Sequence, residues 1–325
     1  MSARVAVVAA THNRADRLAA LLEALRAQTI QDFEVVIVDD ASTDDTPAVL
    51  AAAQARGDLN LTLLRQEPSR GPATARNAGW RVATAPVIAF TDDDCRPAAG
   101  WLEAGLRAMA AIAREDGEAI VQGQTQPDPD EADRLGPFSR SLRVERLDHW
   151  YATANMFYAR ATLERLGGFD ETTFSGPGGE DTDMAWRAIR DGVPTTFSAD
   201  AQVWHAVHIL GLRGRLKFAT RWDETIAVFA RYPELRKQTL IRGVFWKETH
   251  YHLVRALIGL LLPGRLRLLG AYFAYRYARL LWMHAHWEGD GKGGGPAFVP
   301  YYLAENAVEL ATTARGAARY RTFVL

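Results

Sequence analysis

Phe90-Thr91-Asp92-Asp93-Asp94-Cys95-Arg96-Pro97 carries the clearest chemical potential of this 325-residue chain: three consecutive carboxylates behind an apolar run, Pro86-Val87-Ile88-Ala89-Phe90. The run has the length and β-branched content of a buried strand. Acids packed side by side repel one another unless a cation sits among them, and hard carboxylate oxygens suit Mg²⁺ or Mn²⁺. A charge run also reads as a solvated turn. A second acid pair, Glu180-Asp181, opens an expected helix, where the helix dipole and capping alone would favour acids. His205 follows an expected strand from Val193 to Ala199, with His208 three residues on; most lone histidines are not ligands. Cys95 is the one cysteine, which rules out an intrachain disulfide framework. The neighbouring acids would raise its thiol pKa, so it reads as a small packing residue.

The elements that would hold these groups alternate. Arg4 to Ala10 and Phe33 to Val38 read as strands, and Leu61 to Leu64 as a short third. Helices follow: one carries Leu18, Leu21, Leu22 and Leu25 at helical spacing, one opens at Thr46-Pro47, and one after Gly71-Pro72 carries Arg76 and Asn77. Polar residues mark the strand exits. This predicts an α/β, doubly wound sheet with its ligand site at the carboxyl edge of the strands. No glycine-rich phosphate loop follows the first strand, which argues against a dinucleotide dehydrogenase or a P-loop ATPase. Without a backbone cradle a diphosphate would need a metal.

Four segments in order, Ala10-Thr11-His12-Asn13-Arg14, Val38 to Thr46 (VDDASTDDT), Gly71 to Asn77 (GPATARN) and Phe90 to Asp94, resemble family 2 glycosyltransferases of the GT-A fold. The resemblance spans about residues 4–210. It implies a mixed doubly wound sheet with a nucleotide-sugar half (about 1–97) and an acceptor half (about 98–210). Thr11, with Asn13 and Arg14 beside it, and Asp40, with Asp39 beside it, would hold base and ribose, and Arg76 would lie near the nucleotide. Asp92 would face ribose or metal and Asp94 would coordinate Mg²⁺ or Mn²⁺; Asp93, the middle residue, counts with Asp92 among the nucleotide-site acids or simply faces solvent. Gly178 to Trp186 (GGEDTDMAW) resembles the family's E-D motif. It implies Asp181 as the general base and Glu180 as a group positioning acceptor or metal, for an inverting displacement. Tyr151 to Phe157 resembles the strand entering the acceptor region, Leu166 to Glu171 its G-G-F-D-E turn, and His205 stands where relatives place a metal ligand. The Q-x-x-R-W signature of processive synthases is absent, since Phe218 occupies the glutamine position before Arg221-Trp222. Single-sugar transfer is expected.

Charge divides the chain. Residues 1–210 hold 20 basic and 31 acidic side chains, residues 211–325 hold 18 and 8, and all four lysines lie in the second part. Residues 126–148, rich in Pro, Asp and Arg, read as a mobile loop. From 211 to 325 a basic, amphipathic helical region is expected. Arginines 255, 265, 267, 276 and 279 recur there among Leu and the aromatics Tyr272, Phe273, Tyr275, Tyr277 and Trp282. That composition suits a membrane interface rather than a span, although a helical subdomain packed on the core reads similarly. Glu288 to Pro296 reads as a Gly-rich linker and Tyr301 to Leu325 as a last helix. No signal peptide is evident, so a cytoplasmic enzyme peripheral to the inner membrane face is expected. Its partners would be a nucleotide-sugar, UDP-linked by family habit, a lipid-linked or envelope-glycan acceptor and an anionic surface, with no nucleic acid. A sugar-phosphate nucleotidyltransferase lacks its basic glycine-rich loop here; a catalytically silent scaffold keeps the fold without metal-dependent nucleotide binding.

Overall fold

The computed structural model describes residues 3–287 and 295–325. The chain forms two compact units, one of Met1–Ala132 with Ser141–Ala206, the other of Asp133–Arg140 with Val207–Leu325.

In chain order the elements are β1 (Val5–Thr11), α1 (Ala15–Arg26), β2 (Phe33–Asp40), α2 (Thr46–Arg56), β3 (Leu61–Gln66), α3 (Pro72–Val82), β4 (Val87–Thr91), β5 (Cys95–Pro97), α4 (Trp101–Ile112) and β6 (Ile120–Pro127). Then come β7 (Ser139–Arg140), β8 (Asn155–Ala159), α5 (Arg160–Leu166), α6 (Glu180–Arg190), β9 (Thr195–His205) and β10 (His208–Ile209). The eight-stranded sheet runs β3-β2-β1-β4-β8-β6-β9-β5. Strands β3, β2, β1 and β4 are parallel, whereas β8 lies antiparallel to both β4 and β6. The sheet is therefore mixed beyond β4.

Continuous apolar strands bury both faces, as a sheet covered by helices requires. On one face Val7, Val35 and Ile37 meet Leu18, Leu21, Leu22 and Leu25 of α1. On the other, α3 lies so close that a Cβ on Gly79 would stand 2.5 Å from a Val8 methyl carbon. That approach fixes Arg76 one turn earlier over the sheet's carboxyl edge. Cys95 is buried in the core, and burial and the Asp94 charge push its thiol pKa up, which fits a packing role.

Three expectations change. The strand expected from Tyr151 begins only at Asn155: before it Tyr151 takes a left-handed backbone (φ 51°) and the Thr153 N–H donates to the Asp181 side chain rather than to a neighbouring strand. His205 ends β9 rather than following it. The 126–148 segment, expected as a loop, is tied to the sheet at both ends: Arg96 grips Asp128 at 2.6 and 3.0 Å, Thr125 bridges to Val144, and Asp148 accepts from Gln122 and from the Trp150 and Tyr151 backbone.

The second unit holds α7 (Gly211–Ala219), α8 (Trp222–Arg231), α9 (Pro233–Thr239), α10 (Glu248–Leu261), α11 (Arg267–Trp287) and α12 (Val299–Arg319), with β7 antiparallel to β10. Helix α12 starts before Tyr301 and stops at Arg319, so Arg321, at φ 50°, lies beyond it. It buries Glu305 and Glu309, each paired, at 3.0 Å from Arg215 and 2.7 Å from Lys247. Tyr277, expected at an interface, instead packs with Leu281, Tyr301 and Tyr302. Most of the expected linker, 288–294, lies outside the described residues.

Candidate active site

Strand exits supply the first part of the site. After β1, Asn13 takes a left-handed backbone (φ 53°); after β2, Ala41 does the same (φ 62°). Such conformations cost about 1–3 kcal/mol each and persist only where the surroundings enforce them. Here the two loops enforce each other: Asn13 N–H donates to Ser42 Oγ at 2.9 Å, and Asn13 Oδ1 accepts from Thr43 N–H at 2.7 Å. Thr11, Asp39 and Asp40 are buried beneath them. Asp39 accepts from the Ser42 backbone at 2.9 Å and from Arg65. Asp40 accepts from Ser69 Oγ and the Arg70 and Gly71 backbone at 2.7–3.0 Å. It thereby ties down the approach to α3. Arg65 was not singled out from the sequence, because its pairing with a strand two elements away has no local signal.

The acidic triplet divides into three environments. Asp92 is partly open, its side chain 33% exposed, and pairs with Arg76 Nη2 at 3.0 Å. Asp93 is buried rather than turned to solvent; burial first, then the Asp94 charge, push its carboxyl up to about 7. A strand exit alternates its side chains, so the middle residue points inward. Asp94 receives Arg14 Nη1 at 2.8 Å. Burial opposes the Arg14 charge, but Asp94 and Asp93 outweigh it and hold that guanidinium above its ordinary pKa. Two arginines, Arg14 and Arg76, thus face the triplet with positive charge.

Beside Asp94 lies His205, buried, with Nε2 at 3.6 Å from Asp94 Oδ1. Its Nδ1 stands 2.8 Å from the Ala206 carbonyl, which can only accept, so a neutral ring that makes this bond carries its proton on Nδ1 and turns the Nε2 lone pair to the carboxylate. Two acceptors aimed at each other at 3.6 Å make no hydrogen bond. Two ligands at about 2.1 Å from one shared cation reach at most about 4.2 Å apart, so the pair fits a divalent cation. His208 lies in β10, in the other unit.

Arg76 forms the centre. It is buried, with Nη1 at 3.1 Å from both Glu180 Oε1 and Asp181 Oδ1, and burial is outweighed by Asp181, Asp92 and Glu180, which raise its pKa further above the arginine range. The surface salt bridge that Arg76 could have made is excluded by that burial. Glu180, expected to position acceptor or metal, has a side chain only 3% exposed and accepts from Gly178 N–H at 2.6 Å. Burial and the Asp181 charge push its carboxyl up to about 7. What it positions is Arg76. Asp181 is different: its side chain is 20% exposed and Oδ2 accepts from Thr153 N–H at 3.0 Å, leaving an oriented carboxylate open to solvent.

Asn77, a motif residue to which the sequence attached no role, clasps the G-G-F-D-E turn. Its Oδ1 accepts from Phe169 N–H and Trp80 Nε1, and its Nδ2 donates to Phe169 O and Glu171. Gly168 is required there, because at φ 76° a Cβ would stand 2.2 Å from Asn77 Oδ1. Asn155, likewise unmarked in the sequence, is buried and links Trp101, Gln124 and Ala201.

A mixed sheet of this order, with acids at the exits of its second and fourth parallel strands and an acid pair opening α6, defines the GT-A class of glycosyltransferase folds. The chain belongs to glycosyl transferase family 2, whose model matches residues 6–174. It is 31% identical over 237 residues to a validoxylamine A glucosyltransferase of Streptomyces hygroscopicus subsp. jinggangensis, covering 63% of this chain and 56% of that one. A pre-mycofactocin glycosyltransferase of Mycobacterium tuberculosis is 29% identical over 253 residues, covering 74% and 50%. This chain thus spans about half the length of these relatives. Among solved structures, a Pyrobaculum calidifontis mannosyltransferase in complex with GDP-mannose and Mn²⁺ superposes with a TM-score of 0.59 at 22% identity, covering 99% of this chain and 88% of that one. At that identity the likeness concerns the fold.

Proposed function

We propose that the protein transfers a single hexosyl or N-acetylhexosaminyl unit, with inversion, from a nucleotide-sugar to a hydroxyl of a lipid-linked or envelope-glycan acceptor at the inner membrane face. The observation that carries this reading is the Arg76 guanidinium, which touches Asp92 on the donor side and Asp181 on the acceptor side. It sets the two halves of a displacement within one side chain's reach.

The Thr11–Arg14 loop, Asp39 and Asp40 would shape the nucleoside pocket. Asp94 and His205 would hold the cation, with Asp92 towards it or the ribose. A bound divalent cation would neutralise the charge that develops on the leaving diphosphate. The imidazole in the set favours Mn²⁺ over Mg²⁺. Asp181 would accept the acceptor's hydroxyl proton; the freed oxygen pair bonds to the anomeric carbon while the opposite C–O bond breaks and its electrons leave on the nucleoside diphosphate. Thr153 and Arg76 orient Asp181 for that transfer, and Glu180 holds Arg76. Family membership supports transfer from a nucleotide-sugar, and the glucosyl and mannosyl transfers in the relatives' names support a hexose. UDP is favoured by family habit, and GDP in the mannosyltransferase complex makes it the comparison to run.

The test is release of nucleoside diphosphate from UDP- and GDP-hexoses with Mn²⁺ or EDTA. Metal-dependent turnover of one donor class, lost in Asp181→Asn, supports the reading. Absence of turnover with every donor and metal would leave a silent scaffold.

A further inference from the structure

Residues 248–287 contain five arginines and one acid, Glu248, which opens α10 at the end away from the turn and pairs with His252 and Arg276. They form the α10–α11 pair, which turns at Leu262–Pro263. Its tip is unusual for a water-facing surface. Leu257, Ile258, Leu260, Leu261, Leu266, Leu268 and Leu269 are all exposed, Leu261 at 84% and Leu268 at 70%. Leucines normally fill the seam between two packed helices, as Leu253 and Leu281 do farther from the turn, but at the tip they do not. Gly259 and Gly270 bring the backbones together instead: a Cβ on Gly259 would stand 2.5 Å from Gly270 Cα, and one on Gly270 2.4 Å from Leu260 N. Close glycine crossings with outward leucines are how helices associate where the surroundings are as apolar as the side chains. The contiguous apolar tip is also of the kind that marks an interaction site.

Polar and aromatic groups then follow in sequence along α11. Arg265 and Arg267 are exposed within the tip, and the exposed Tyr272, Tyr275 and Trp282 follow it. At about 1.5 Å per residue, Tyr275 stands about 10 Å along the helix from Leu268. That is the depth to which interfacial helices sink, with aromatic rings at headgroup level. No described helix is long and apolar enough to cross a membrane.

We infer that the α10–α11 tip is a membrane-docking wedge whose occupant is an anionic bilayer: leucines enter the acyl boundary, arginines meet lipid phosphates and the tyrosines sit between. A tip that carries Arg265 and Arg267 and no acid selects a negative surface. A second copy of this chain would bring the same arginines against one another, which disfavours self-association through this face. The inference rests on the membrane-side part of the proposed function and not on the chemistry.

The full chain is incubated with vesicles of phosphatidylcholine alone and of phosphatidylcholine with phosphatidylglycerol at roughly two to one, and pelleted. Wild type should bind the anionic vesicles, more weakly as salt rises. Leu261→Asp/Leu268→Asp should lose at least tenfold in binding, with an unchanged melting temperature because both side chains are exposed. Arg265→Gln/Arg267→Gln should weaken binding only to the anionic vesicles. Binding by the double aspartate variant equal to wild type, or no vesicle binding by wild type, would overturn the inference. So would a wild-type dimer in sedimentation that the aspartates dissociate, since the face would then belong to a second copy. Donor turnover without lipid, measured on the same variants, separates this outcome from failure of the transferase reading.

Discussion

Arg76 Nη1 lies 3.1 Å from Asp181 Oδ1, and the same nitrogen lies 3.1 Å from Glu180 Oε1, so one buried guanidinium orients the open carboxylate by way of a closed one. The two acids are adjacent in sequence and chemically alike, yet their burial gives them different work. Asp181 has a face towards solvent where a hydroxyl can approach; Glu180 has none.

Asp181→Asn keeps the shape and the Thr153 contact but removes the proton acceptor. Turnover should fall about 10²–10⁴-fold, the usual contribution of a positioned general base. Nucleotide affinity by calorimetry should stay within a few fold of wild type. A collapse of affinity with unchanged turnover would move Asp181 to the donor side.

Arg76→Met takes the cation from three carboxylates. Breaking a buried pair in this way costs about 3–5 kcal/mol. Urea unfolding at pH 8 should show a loss of that size, and a smaller one at pH 5, where Glu180 is protonated. Equal losses at both pH values would mean the guanidinium matters for packing alone.

Glu180 also sets a pH dependence. Its folded pKa of about 7 stands above the ordinary 4.5, so between those values the folded chain keeps a proton that the unfolded chain has released. Stability contributed there is present below about pH 4.5 and lost as pH rises through 7. Asp93, also raised to about 7, acts in the same direction. In EDTA, the melting temperature should fall from pH 5 to pH 8, and Glu180→Gln should flatten that fall. A wild-type profile that is flat or rises over this range contradicts the assignment.

Much of this site was legible because its signals are local. Acids at the end of an apolar run announce a strand exit, and Gly71-Pro72 announces the helix that carries Arg76. The partners were less visible. Asn77 reaches Phe169 across 92 residues, and Arg65 reaches Asp39 across two elements, with no periodicity to betray either. The inward turn of Asp93 depends on the pleat of one strand end, and the burial of Glu180 on helix α6 settling against Arg76. The membership of 133–140 in the second unit follows from the pairing of Ser139–Arg140 with His208–Ile209, which two-residue strands cannot advertise.

Asn77→Ala would strand the Phe169 backbone and the Trp80 indole N–H in the interior. Each buried orphan costs about 1–3 kcal/mol, so a total loss of about 3 kcal/mol is expected in urea unfolding. Near-wild-type stability would show that the turn holds without its clasp.

In the proposed function Asp94 and His205 would complete a cation-dependent nucleotide site. Calorimetric titration of UDP and of GDP into wild type and Asp94→Ala, each with Mn²⁺ and with EDTA, tests it most directly. One nucleotide should bind wild type with Mn²⁺, and EDTA or Asp94→Ala should weaken that binding at least tenfold. Nucleotide binding that is indifferent to both the metal and Asp94, or absent throughout, would contradict it.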